Sequence, residues 1–179
     1  SHREFDNLVA KLEKLGFLKQ GSLTEKGEFA SLIFADEIIT TEVFGTDFQE
    51  KLDAYQLLLL MACICFEGGA RTEFHKSFKS EALFRLRDSI RARPYVKLDP
   101  RFNNLDDLTG LLHPIWNKKS FFDILDNSNL LEGDIVRFFR QLIDRLSQVK
   151  QATADQELIK KIAECEHHIE TCLGNIDAI

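Results

Sequence analysis

The sequence predicts an all-α fold: a multi-helix bundle with a small winged-helix-like hairpin near its N-terminus and a long antiparallel helix pair at its C-terminus. Three observations predict it. Apolar residues recur at three- and four-residue spacing along most of the chain, with no alternation of strands and helices. The 179 residues hold only three prolines and no low-complexity run, and are 44% hydrophobic and 29% charged, a balance that favours ordered helix over linker or disorder. Fifteen phenylalanines stand against two tyrosines and one tryptophan, aromatic filling for interhelical space more than a rack of stacking platforms. The length suits one domain with its own core, here residues 3–179.

Taken in order, Ser1-His2 reads as the remnant of a cleaved tag. Phe5, Leu8, Leu12 and Leu15 mark a first helix ended by Gly16, and Phe17-Leu18 with Gly21 and Leu23 makes a very short hairpin. A second helix starts near Thr24 with Phe29, Leu32 and Ile33 on its apolar face, so residues 3–34 look like the tail of a winged-helix unit, ahead of a bundle over 36–179. A third helix runs from Asp36 to Phe44 and stops at Gly45. The fourth, Asp53 to Phe66, is apolar almost all round and therefore central; Gly68-Gly69 ends it.

A basic helix is predicted from Thr72 to Ala92, with Phe74, Phe78, Ala82 and Leu86 buried and Pro94 blocking continuation. A loop of about ten residues then leads to Asn104. Leu105, Leu108, Leu111 and Leu112 begin a helix toward Trp116, and a short segment carries Phe121, Phe122, Ile124 and Leu125. The last two helices share a heptad-like seam, in which Ile135, Phe139, Leu142 and Leu146 meet Leu158, Ile162, Cys165 and Ile169 across a turn near Ala154.

Several functions are excluded or left without support. The longest apolar run, Leu57 to Phe66, is about half of what a membrane span needs. No secretory signal pattern is visible, which points to an intracellular protein, cytoplasmic in a prokaryote. Cys63, Cys65, Cys165 and Cys172 lie in apolar helical patterns and read as core thiols. Cys165-Glu166-His167-His168 with Cys172 is metal-capable in composition, but adjacent histidines point about 100° apart on a helix and both cysteines sit on the seam. No metal site is expected. There is no phosphate-cradling glycine loop and no nucleophile with its base, so no catalytic residue and no cofactor are assigned to this chain. Asp36-Glu37 and Asp106-Asp107 read as helix-start carboxylates; His75 and His113 have no evident partners.

The helix from Glu132 to Gln151 is the most informative element. Opposite its apolar seam, Arg137, Arg140, Gln141, Asp144 and Gln148 share one polar face. Guanidinium and amide groups on that face can hold phosphates and base edges; the alternative is an ordinary solvated stripe. The net charge of -6 argues against a free-standing nucleic-acid binder. It hides an asymmetry, because Arg71 to Arg101 holds nine basic residues against four acidic ones, leaving the rest at -11. Arg85, Arg87, Arg91 and Arg93 form a secondary basic patch within that stretch.

Three stretches carry a family resemblance. Leu12-Glu-Lys-Leu-Gly-Phe-Leu, Leu23-Thr-Glu-Lys-Gly-Glu-Phe-Ala and Asp36-Glu37-Ile38 with Thr41-Glu42 form the first; the Leu-rich helix after Leu52-Asp53 is the second; Glu132-Gly-Asp-Ile-Val-Arg137, continuing through Arg140, Asp144 and Gln148, is the third. Together they resemble the C-terminal helical domain, DSHCT, of Ski2-like superfamily 2 DExH-box helicases found in exosome-associated RNA helicases and helY-like proteins. The family's Trp-x-x-Gly-x-x-Phe element is Trp116 to Phe122 here, with Lys119 in the glycine position, and Gln141 stands at a position often basic.

The resemblance implies a ring-closing module that guides a single strand of RNA or DNA along the arginine helix. It further implies ATP and Mg in motor domains upstream in cis, and an RNA-degradation complex as a partner. Arg137 and Arg140 would then hold phosphate, or Arg137 would pair with Glu132 or Asp134, while Gln141 and Gln148 touch base edges or sugar. The competing expectation is a protein-interaction module that docks motor domains or an acidic partner through the basic stretch.

Overall fold

A computed structural model describes residues 2–177. Ser1 of the expected tag remnant and the last two residues of the expected 3–179 domain lie outside the described residues. The architecture is an all-α bundle whose only sheet, among the described residues, is a two-stranded hairpin. The first helix, α1 (His2–Lys14), ends at Gly16, whose φ of 85° lets Phe17 N–H return to Leu12 carbonyl at 2.8 Å. Strands β1 (Leu18–Lys19) and β2 (Ser22–Leu23) pair antiparallel, Leu18 opposite Leu23. Helices α2 (Glu25–Ser31) and α3 (Glu37–Phe44) follow, the latter closed by Gly45.

Helix α4 (Ala54–Cys65) is the hub. Asp53 and Gln56 form a reciprocal capping box at its start, and all twelve of its residues are buried. Around it pack α3, α5 (Glu81–Arg91), α7 (Leu105–Trp116), α8 (Glu132–Ala152) and α9 (Gln156–Asp177). Because α4 has no wet face, each neighbour must turn an apolar stripe inward. The α8–α9 pair does so with the expected seam: Ile135, Phe139, Leu142 and Leu146, and opposite them Leu158, Ile162, Cys165 and Ile169, are all fully buried. No helix among the described residues is long and apolar enough to cross a membrane.

The stretch before α5 departs from the sequence expectation. The basic helix does not start at Thr72: residues 66–80 are extended or irregular, and α5 begins only after Ser80, whose Oγ accepts the Leu83 N–H at 3.2 Å. The four-residue spacing of Phe74 and Phe78 arises from two separate anchors. Phe74 packs edge-on to Phe66 at 5.7 Å and its strand-like backbone bridges Ser128; Phe78 donates its N–H to Thr109 Oγ1 at 2.9 Å and stacks on His113 at 4.6 Å. Gly110 makes room for this segment, since a Cβ there would lie 2.5 Å from the Lys76 carbonyl oxygen. The expected loop to Asn104 also has structure. Pro94 opens α6 (Pro94–Lys97), a 3-10 turn covers Pro100–Asn104, and Val96 and Phe102 join the core.

A second departure concerns carboxylates. Asp36 sits at the N-cap of α3 but makes no side-chain cap there, its φ being 51°. Its carboxylate instead accepts Arg101 Nη1 and Arg145 Nη1, each at 2.8 Å, and so ties α3 to both the 3-10 turn and α8. Asp106 likewise leaves its helix start uncapped and pairs with Arg87. In both cases a nearby guanidinium competes successfully with backbone amides for the carboxylate. Elsewhere Lys26 caps the Leu15 carbonyl at 2.6 Å and pairs with buried Glu42.

Two predictions follow from this packing. Leu142→Ala should cost about 2–5 kcal/mol in chemical denaturation; a loss below about half a kcal/mol would mean an exposed seam. Burial raises the Asp36 carboxyl, but hydrogen bonds and charge from Arg145 and Arg101 outweigh it and hold the group below its ordinary value. The contribution of a carboxylate with a depressed folded pKa is complete above the ordinary value and fades as pH falls toward the folded one. Urea midpoints of the parent and Asp36→Asn should therefore differ at neutral pH, the parent being higher, and begin to draw together only as pH falls below about 4, toward the lowered folded value. A gap independent of pH would contradict the ion-pair network. Asparagine tolerates the left-handed backbone, so the comparison isolates the charge.

Candidate nucleic-acid interface

Helix α8 presents two faces because its sequence has two. At about 100° per residue, Arg140, Asp144, Arg137, Gln148 and Gln141 fall within an arc of about 100°, opposite the buried seam. From Arg137 to Gln148 this face runs about 16 Å along the axis at 1.5 Å per residue. Arg137, Arg140 and Asp144 are exposed, whereas Gln141 and Gln148 are partly buried at its edge. The structure thus brings all five expected residues onto one surface.

Their partners differ. Arg137 is 80% exposed and donates to Asp134 Oδ1 at 3.3 Å, the helix-start pairing foreseen as its alternative role. Such an exposed pair is weak and exchanges readily for another anion. Arg140 makes no ion pair among the described residues, even though Asp144 lies one turn on. Gln148 is already engaged, its Oε1 accepting the Phe34 N–H at 3.2 Å.

Arg145, which sequence reasoning passed over, borders the same face at 16% exposure and binds Asp36. Arg101 completes that cluster and is held a second time by Asp99, Nη2 to Oδ2 at 2.8 Å. The signal for Arg145 was available: it stands at the boundary between apolar seam and polar stripe, where an arginine buries its stem and aims its fork at a carboxylate.

The secondary patch has a different character. Arg85 pairs with Glu81, Arg87 with Asp106, Arg91 with Asp88, and Arg93 with Asp47 and the Thr46 hydroxyl. Half of these carboxylates, Asp106 and Asp47, come from outside the basic stretch. All four arginines of the patch are therefore paired, two of them across element boundaries, and the local charge excess seen in the sequence is reduced by those two outside carboxylates.

The remaining chemistry-bearing side chains take part in packing. Burial pushes the Cys63 and Cys165 thiols up, the Cys65 thiol to about 12 and the Cys172 thiol to about 11, so none is a ready nucleophile or thiolate ligand. Cys165 Sγ donates to the Ala54 carbonyl at 3.1 Å. His168 stacks on Trp116 at 4.1 Å, and His113 lies between Phe78 and Tyr55 with its pKa lowered by burial. No three His, Cys, Asp or Glu side chains among the described residues are grouped to hold a metal ion.

Comparison with known proteins agrees with this architecture. The family model described as "DSHCT (NUC185) domain" matches residues 20–171. A curated relative, "mRNA transport homolog 4" of Caenorhabditis elegans, is 24% identical over 181 aligned positions covering 93% of this chain. The chain spans 18% of the length of that relative. The family match takes in β2, the buried hub, α8 and most of α9, and the chain belongs to the DSHCT (NUC185) domain family.

Proposed function

We propose that this domain is the C-terminal helical-bundle module of an ATP-dependent Ski2-like DExH-box helicase, closing a ring around single-stranded RNA or DNA and guiding the strand along α8 during unwinding. The observation that carries the reading is α8 itself. One face is fixed by the core, and the other holds Arg140 free of carboxylate partners among the described residues, between Arg137 and Asp144. A guanidinium held at a set height on a buried helix can take a backbone phosphate without choosing a sequence. Asp144, one turn further, repels the same backbone and keeps the grip weak enough for the strand to advance. In this reading ATP and Mg belong to motor domains upstream, which supply hydrolysis, and this chain supplies strand contact. The name of the C. elegans relative, with its reference to mRNA transport, supports RNA as the strand and a setting inside the cell; an RNA-degradation complex as partner is part of the same proposal.

One observation favours a second reading, a protein-docking module. The ion pairs of Arg85 and Arg91 are largely exposed, so an acidic partner or the motor domains could take over those arginines at little cost.

The test is made in the full-length helicase. Arg140→Ala with Gln141→Ala should slow unwinding of a tailed duplex and lower the slope of log affinity against log salt by about one unit. The thermal midpoint should be unchanged, because both residues lie off the seam. A double variant with parental unwinding rate and parental salt slope would remove α8 from the strand path and give the docking reading precedence.

A further inference from the structure

We infer that Phe34 is a stacking platform for one base of the strand held by α8, and that Gln148 is the residue that positions it. The inference rests on the strand-contact reading of α8. Phe34 is 81% exposed, the highest value among the large apolar side chains of the described residues. A single exposed phenylalanine needs no explanation by itself. This one differs in how its backbone is held.

Ile33, immediately before it, is buried in the core. The N–H of Phe34 donates to Gln148 Oε1 at 3.2 Å. Two residues on, Asp36 is gripped by Arg145 and Arg101 and held in a left-handed conformation, φ 51°. A short loop is thus fastened at three successive points, two of them on α8, while the ring it carries is left uncovered. A platform ordered before binding loses little conformational entropy when a base arrives.

Its location suits the role. Gln148 lies two turns from Arg140, about 12 Å along the helix axis, so the loop that carries Phe34 meets α8 at the C-terminal end of the face where Arg140 is available for phosphate. Aromatic rings stack on any base, which adds affinity without sequence preference. Bases in a duplex are already stacked on both sides and cannot take the ring, so this contact also selects unpaired strand. Gln148 then works by placement: its carbonyl oxygen is used to hold the loop and is not available to read a base edge.

The chain described here can be titrated with two fluorescent probes, an oligouridylate carrying 2-aminopurine and an abasic phosphodiester of equal length. Phe34→Ala should weaken binding of the base-bearing probe by about fivefold or more, abolish quenching of 2-aminopurine, and leave the abasic probe unaffected. Phe34→Trp should restore both signals. Gln148→Ala should show a smaller loss confined to the base-bearing probe, and Arg140→Ala should weaken both probes alike. All variants should keep the parental thermal midpoint, since none of the three side chains fills the core.

If Phe34→Ala leaves both probes unchanged, or weakens them equally, while Arg140→Ala weakens both, stacking is excluded and phosphate contact stands. If neither variant alters binding, or the parent binds neither probe, the stacking inference and the strand-contact reading fall together.

Discussion

Twelve consecutive residues of α4 lie out of water, and most of the remaining architecture answers that constraint. Side chains at every angle round a helix can be buried only if other elements surround it. Helices α3, α5, α7, α8 and α9 do so, each contributing one apolar stripe. Since α8 and α9 must also bury each other, their rotation about their own axes is fixed twice over. The polar face of α8 points outward because nothing else is left for it to do. A surface for a moving strand gains from this arrangement: a contact residue on a doubly anchored helix keeps its position while the ligand slides.

Ion pairs fasten the periphery to this centre. Lys26 crosses from α2 to the end of α1 and to Glu42 on α3, while Gly27 is obligatory because a Cβ there would collide with the Phe17 carbonyl oxygen. Thr24 completes the joint, accepting the Gly27 N–H at 3.0 Å and donating to the Gly16 carbonyl at 2.5 Å. The Leu-Thr-x-Lys-Gly pattern and the later Thr-Glu pair that carry the family resemblance are thus structural joints between the hairpin and the bundle. Asp36 does the same job at longer range, linking α3 to α8 through Arg145. Motif residues of this family can therefore be architecture, and the proposed strand contact would fall to few side chains.

Most of the helices were legible in the sequence because their start and stop signals were local: Gly16 and Gly45 at helix ends, and the N-caps of α4 by Asp53 and α2 by Thr24, need no tertiary context. The start of α5 was not legible, since Phe74 and Phe78 repeat at helical spacing while each anchors to a different neighbour, Phe66 and His113. Asp36 and Asp106 read as caps because sequence does not reveal a guanidinium 65 or 19 residues away. The five-residue face of α8 followed from periodicity. The Arg137–Asp134 pair was one of two roles its sequence offered; that Arg140 has no ion pair among the described residues and that Gln148 holds a loop did not follow, because those depend on tertiary packing. Phe34 was hidden among fifteen phenylalanines, most of which are buried in the core or packed against it.

In the proposed role, α8 closes the core with one face and meets a single strand with the other. Backbone amide NMR of the chain titrated with single-stranded RNA tests this directly. Shifts are expected along Arg137 to Gln148 and in the 32–36 loop, with α5 and the deep amides of α4 unmoved. Shifts centred on Arg85 to Arg93, with α8 silent, would contradict it.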